Sequence, residues 1–244
     1  MSNWVAIDWG TSNFRAYLMN NDQVIDQTFS NDGMKFVKEN NFEDVLVKNI
    51  SSWLTGNNII KILASGMVGA KQGWVEVPYS QVPCNVLKLN IRSPQIKNKR
   101  MNVYILSGVS QIDPEDVMRG EETQLAGYFL DNPKFVGSIC LPGTHSKWVN
   151  VKNCKILNFN TYLTGELYEI IKNYSVLKHS LSCQNINEEK LIEGVEMIFK
   201  KPDNFSNELF KLRARDLLSN QSPVEANSLL SGYFLGLELL GSKY

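Results

Sequence analysis

Residues 5–18, VAIDWGTSNFRAYL, constrain the fold more than any other stretch of the chain. Val5, Ala6 and Ile7 read as a buried strand with Asp8 at its end. Gly10, Thr11, Ser12 and Asn13 are turn formers. Phe14, Ala16 and Leu18 then alternate with Arg15 and Tyr17, the period of a strand with two unlike faces. The stretch therefore predicts a β-hairpin with a carboxylate and two hydroxyls at its tip. Such a tip suits anion and metal chemistry. Gly10 lets a phosphate approach the backbone, turn N–H groups form an anion-binding nest, and Asp8 is placed to hold Mg²⁺ directly or through water. An ordinary Asp-Gly hairpin reads the same way. The spacing of a Walker A loop is absent and no GxGxxG follows a strand, which disfavours P-loop and Rossmann readings.

The next segments have α/β grammar. Gln23 to Phe29 reads as a strand. Asn41 reads as an N-cap, and Phe42, Val45, Leu46, Ile50, Trp53 and Leu54 recur at helical spacing. Asn57 and Asn58 break that helix. Ile59 to Ala64 is a strand ending in Ser65-Gly66-Met67-Val68-Gly69, a small-residue loop at the carboxyl end of a strand, where open α/β sheets place ligands. Trp74 and Tyr79 follow, either as walls of a small polar substrate pocket or as packing. Met101 to Gly108 is a further strand. Gly120, Glu121 and Glu122 open a helix continued by Leu125, Tyr128 and Phe129. Acidic residues suit a first helical turn. They also suit a general base, because the helix terminus tends to keep a carboxylate ionised at pH 7.

Phe135 to Leu141 leads into Pro142-Gly143-Thr144-His145-Ser146-Lys147-Trp148-Val149, a second hairpin with Gly and Thr at its tip. Lys147 is either a point charge for a ligand or a solvated strand residue. His145 reads as a hydrogen-bonding loop residue, since no GxSxG elbow occurs. After a strand over Phe159 to Leu163, Thr164 reads as the cap of a helix whose apolar face is Leu167, Ile170 and Ile171. Thr164, Gly165 and Glu166 at its start are a further possible ligand contact. Three more helices follow, opened by Asn187, Phe205 and Pro223. The first of them carries Leu191, Ile192, Val195, Ile198 and Phe199 inward, and in the last Ser231, Gly232 and Gly236 allow close packing.

The 25 basic and 25 acidic side chains balance, so nothing points to nucleic acid or an anionic membrane. Cys84, Cys140, Cys154 and Cys183 are scattered without a CxxC pair, which fits free thiols in a reducing cytoplasm. The most apolar late stretch, Leu229 to Gly241, is too short to span a bilayer.

Taken together, VAIDWGTSNFRAYL, SGMVGAKQGWVEVPY, VMRGEETQLAG, LPGTHSKWVNV, FNTYLTGELYEII and LSGYFLGLEL resemble the bacterial 2-dehydro-3-deoxygalactonokinase family, in the family's order and over nearly the whole chain. The resemblance implies an α/β fold of two ribonuclease H-like lobes, of the sugar kinase, heat-shock protein 70 and actin superfamily, with ATP between them. It implies lobes over residues 1–130 and 131–244. The implied reaction transfers the ATP γ-phosphoryl group to the 6-hydroxyl of 2-dehydro-3-deoxy-D-galactonate, with Mg²⁺, in cytoplasmic galactonate breakdown. Gly10, Thr11, Ser12 and Asn13 match the first phosphate hairpin, with Asp8 as the metal and catalytic partner. Gly143 and Thr144 match the second. Ser65, Gly66 and Met67 match a sugar-side loop, with Trp74 and Tyr79 just beyond it. Arg15 and Arg119 are candidates for substrate charge, and Glu121 or Glu122 for the base, Glu121 being preferred. The family continues for several tens of residues past the last helix here, so the second lobe is expected to lack its adenosine-contacting end. The alternative expectations are self-association, a different small-molecule kinase of the superfamily, or an inactive homologue that at most binds a sugar acid.

Overall fold

The computed structural model describes residues 3–55, 58–181 and 185–243. Asn57 and Cys183 lie outside the described residues. The chain divides into two units, one of residues Met1–Ser138 with Asn150–Phe159, the other of Ile139–Val149 with Asn160–Tyr244.

In the first unit β1 (Asn3–Trp9), β2 (Phe14–Asn20) and β3 (Gln23–Ser30) form an antiparallel meander, with Asp8 opposite Arg15. The helix α1 (Phe42–Ile50) crosses to β4 (Ile60–Ser65), which lies parallel to β1 and sets Ser65 beside Asp8. Short strands β5 (Ser80–Gln81), β6 (Cys84–Asn85) and β7 (Ile91–Arg92) precede β8 (Met101–Leu106). The main sheet runs β3-β2-β1-β4-β8-β7. Alternation along β1 sends Val5, Ile7 and Trp9 into a core closed by Phe42, Leu46 and Ile50 of α1. Helical spacing had extended α1 to Leu54, but it stops at Ile50 and a 3-10 turn, Ser51–Trp53, carries Trp53 inward. The side chain of Asn41 makes no cap hydrogen bond.

A hairpin that sequence reasoning did not anticipate follows, β9 (Val109–Ile112) and β10 (Glu115–Met118), joined through Asp113 and Pro114. It delivers the chain to α2 (Glu121–Asp131). Beyond α2, β11 (Val136–Leu141), β12 (Ser146–Lys152) and β13 (Lys155–Tyr162) make a four-stranded sheet with β6, in the order β11-β12-β13-β6.

The second unit carries α3 (Thr164–Tyr174), α4 (Glu188–Lys200), α5 (Phe205–Ser219) and α6 (Pro223–Gly241). Its core is built on α6 through Leu229, Leu230, Tyr233 and Phe234. Gly232 meets α4 so closely that a Cβ there would stand 2.2 Å from the Leu191 carbonyl oxygen. Ser222 and Glu225 start α6 with a reciprocal capping box. Three expectations are corrected. Thr164 is the first residue of α3 and caps nothing. The inward residues of α3 are Tyr168 and Ile171, whereas Leu167 and Ile170 are exposed. The Tyr168 hydroxyl donates to Asn227 Oδ1 at 2.6 Å, so the ring can face the core with its polar end satisfied. On α4, Ile198 is buried, but Ile192 and Phe199 are exposed. No helix among the described residues is long and apolar enough to cross a membrane.

Candidate active site

The first tip is held from behind. Gly10 N–H donates to the Asn13 carbonyl at 3.0 Å, and the Gly10 and Thr11 carbonyls accept from Met34 and Lys35 N–H at 2.9 and 3.1 Å. Gly33 makes this approach possible, since a Cβ there would fall 2.2 Å from the Ser12 carbonyl carbon. With the carbonyls committed to the support, no acceptor among the described residues takes the N–H groups of Thr11, Ser12 or Asn13. Turn N–H groups without a protein acceptor are one requirement of an anion-binding turn. Arg15 Nη1 donates to Asp8 Oδ2 at 2.7 Å, across the hairpin, with both side chains about half exposed.

Around Asp8 the same unit gathers the loop after β4. Ser65 Oγ donates to the Ile7 carbonyl at 3.3 Å. Gly66 has φ +94°, and a Cβ there would lie 2.7 Å from the Trp9 carbonyl oxygen and 3.4 Å from Asp8 Oδ1. Only glycine fits this combination of backbone and space. Met67 opens the 3-10 turn Met67–Gly69 that follows. Asp8, Ser65 and Thr123 line one cavity of about 450 Å³, so the end of β1 and the start of α2 share it.

Arg119 stacks over the Tyr79 ring at 4.3 Å and donates from Nη2 to the Val77 carbonyl at 3.2 Å. Its Nε and Nη1 are buried without a hydrogen-bond partner. Trp74 is a different case. It stacks on Phe42 and meets Trp9 edge-on, which is core packing, while also lining a polar cleft with Asn41, Asp44 and Asn98.

The two acidic residues at the start of α2 separate sharply. Glu121 is half-buried, and its Oε2 accepts from Arg119 N–H at 3.1 Å. Glu122 is wholly buried, and its Oε2 accepts from Gly120 N–H at 2.7 Å. Burial pushes the Glu122 carboxyl up to about 7, despite the hydrogen bonds from the backbone that favour its charged form. The expectation that the helix terminus keeps it ionised at pH 7 is therefore corrected, because desolvation outweighs it. Burial and the Glu122 charge push the nearby Cys84 thiol up to about 11.

In the second unit the tip at Gly143 and Thr144 rests on the first turn of α3. Glu166 N–H donates to the Thr144 carbonyl at 3.0 Å, and a Cβ on Gly165 would stand 2.7 Å from the Gly143 carbonyl oxygen. His145 Nε2 and Glu166 Oε2 lie 2.5 Å apart, both about half exposed. Lys147 is buried, its Nζ donating to the His145 carbonyl at 3.0 Å, so it is not a solvated strand residue. Trp148 Nε1 donates to Glu238 Oε1 at 2.8 Å and ties the return strand to α6.

Sequence reasoning missed Gly33 and Glu238, whose importance lies in contacts made far along the chain. A glycine before Met-Lys-Phe carries no local signal.

The 2-keto-3-deoxy-galactonokinase family profile matches residues 8–243. The chain belongs to that family. It is 31% identical over 238 residues to the 2-dehydro-3-deoxygalactonokinase of Escherichia coli (strain K12), covering 97% of this chain and 79% of that one. It is 32% identical over 245 residues to DgoK1 of Rhizobium meliloti (strain 1021), a candidate 2-dehydro-3-deoxygalactonokinase, covering 98% and 80%. A crystal structure of a candidate 2-dehydro-3-deoxygalactonokinase from Sinorhizobium meliloti superimposes with a TM-score of 0.89 at 31% identity, over 98% of this chain and 80% of that one. As a 2-keto-3-deoxy-galactonokinase family member the chain is a carbohydrate kinase.

Proposed function

We propose that this kinase transfers the γ-phosphoryl group of ATP to the 6-hydroxyl of 2-dehydro-3-deoxy-D-galactonate. The observation that carries this reading is the first tip, where the backbone N–H groups of Thr11, Ser12 and Asn13 have no acceptor among the described residues, in the turn that follows the strand bearing Asp8. Gly10, Thr11, Ser12 and Asn13 bind nucleotide phosphate oxygens, and Gly143 and Thr144 form a second phosphate-binding turn. Asp8 fits Mg²⁺, because a nucleotide-bound Mg²⁺ needs only one or two carboxylates from the protein. When bound, Mg²⁺ supplies positive charge against the phosphate oxygens. Metal binding at Asp8 competes with its ion pair to Arg15 across the hairpin.

Ser65, Gly66, Met67, Trp74 and Tyr79 form the sugar-acid side. Arg119 and Arg15 are the candidates for the substrate carboxylate, since a guanidinium can pair with it in bidentate fashion. Glu121 is the base, since it alone of the two glutamates reaches solvent. It accepts the 6-hydroxyl proton as the bond from that oxygen to the γ-phosphorus forms and the bond to the ADP oxygen breaks. Most of the acceleration comes from positioning and from donors aimed at the phosphate oxygens. The chain is read as two ribonuclease H-like lobes, over residues 1–130 and 131–244. The setting is cytoplasmic galactonate catabolism, with no nucleic-acid or membrane partner and homo-oligomer formation open to test.

The test is ADP release from Mg-ATP with and without the sugar acid. Release that depends on 2-dehydro-3-deoxy-D-galactonate is expected. A folded protein that turns over a different acceptor, or none, overturns the assignment.

A further inference from the structure

The chain turns sharply between β10 and α2. Gly120 has φ +115° there, a conformation that L side chains rarely adopt. The side chains of the first helical turn fold back onto this point. Glu121 takes the Arg119 N–H and Glu122 the Gly120 N–H, while Thr123 Oγ1 donates to the Gly120 carbonyl at 2.6 Å. Of these three gripping residues Glu122 alone is 0% exposed, and its second oxygen, Oε1, is buried without a partner.

We propose that Glu122 is a positioning residue, a buried acid that grips the Gly120 N–H and thereby fixes the turn that presents Glu121. This rests on the reading of Glu121 as the base. A wholly buried carboxylate with only backbone hydrogen bonds and with Oε1 left without a partner is costly in its charged form, so burial favours the neutral acid. The ionisable groups facing it are Glu121 and Arg119 on its own turn and Cys84 on β6. Glu121 and Cys84 add no positive charge, and Arg119 offsets burial only in part. With its carboxyl pushed up to about 7, Glu122 is poised to gain a buried charge as the medium turns alkaline. That charge is relieved when the first turn of α2 opens to water and releases Glu121.

Glu122→Gln keeps the shape and an acceptor but cannot ionise. Glu122→Ala removes the grip. Two readouts separate the proposal from a merely structural role: kcat and KM for ATP with the sugar acid between about pH 6 and about pH 9, and amide exchange at residues 119–123 over the same range, corrected for intrinsic rates. In the unaltered enzyme, kcat should fall past about pH 7 with KM for ATP steady, and exchange at the turn should speed up. Glu122→Gln should flatten both profiles and keep kcat within about threefold at low pH, whereas Glu122→Ala should lose at least about tenfold throughout. A glutamine variant that retains the original pH profiles overturns the proposal, as does an alanine variant with full kcat. Should the alanine variant not fold, the glutamine variant decides alone. If the unaltered protein shows no turnover, the kinase reading falls, and the exchange profiles judge the grip without it.

Discussion

At the first tip, Gly10 and Thr11 are backed by a 3-10 turn whose N–H groups take their carbonyls, and the neighbouring carboxylate, Asp8, is paired across the hairpin with Arg15. At the second, Gly143 and Thr144 are backed by the opening turn of α3, and a side-chain hydrogen bond joins His145 to that helix through Glu166. Each tip combines an open glycine with a distant crowded one. A Cβ on Gly10 would meet nothing nearer than 3.6 Å, and one on Gly143 nothing within 4 Å. Gly33 and Gly165 have no room at all. The tip glycines therefore serve access, and the supporting glycines serve closeness. Two turns with the same short signature reach their shape through unlike supports.

The largest expected effect would break the symmetry between the tips. The carboxylate beside the first tip, Asp8, is the one assigned to the metal, whereas Glu166 beside the second is paired with His145, so Asp8→Ala should lower kcat by on the order of 10²- to 10³-fold, and Thr144→Ala by about tenfold or less. Turnover of the two variants under saturating Mg-ATP checks this. Equal losses would mean that Asp8 has no special role. Next come the glycines. Gly33→Ala and Gly165→Ala should each destabilise the protein by about 1–3 kcal/mol, because the new methyl meets backbone. Gly10→Ala and Gly143→Ala should change it by less than about 1 kcal/mol in urea melts.

A pH series adds a difference located in the first unit. Glu122 binds its proton more tightly folded than unfolded, with its carboxyl moved from 4.5 to about 7. The folded state therefore carries a proton that the unfolded chain has lost across that window. Stability should fall as pH rises from about 4.5 to about 7 and then level off, by on the order of 1–3 kcal/mol for this group. Glu122→Gln should remove that contribution, as read from unfolding free energy against pH. The smallest effect is expected at the second tip. The His145–Glu166 pair is about half exposed on both sides, so Glu166→Gln should shift stability by less than about 1 kcal/mol in thermal melts. A larger loss would make that pair a structural anchor.

Local pattern made much of the scaffold legible. The apolar run Val5, Ala6 and Ile7 gives β1, although Ala6 is only half-buried and Trp9 extends the inward face, and the spacing of apolar residues gives five of the helices to within a few residues. Tertiary partners decided the rest. Leu167 and Ile170 have the right period for an inward face, but Tyr168 takes the core because Asn227 on α6 meets its hydroxyl. Lys147 looks like a surface strand residue until its ammonium group is seen capping the His145 carbonyl. The pair Glu121-Glu122 cannot be resolved by spacing, since only burial distinguishes them. The hairpin of β9 and β10 was missed because its turn contains proline and its strands are only four residues each.

Neither unit is a contiguous piece of chain. The first is entered by the N-terminus, left after Ser138, re-entered at Asn150 and left again after Phe159. Gln111, a buried side chain of that unit, has its amide matched at both ends by the backbone of Phe159, accepting at 2.9 Å and donating at 3.2 Å. Val151, Ile156 and Phe159 are likewise buried. A ribosome that has delivered only residues 1–138 has thus produced an unfinished unit, and completing it requires threading out residues 139–149, which belong to the other. The assembly order in the cell is therefore interleaved. A gene cut once between the units would yield two fragments, the first without the Phe159 partner of Gln111 and without core residues.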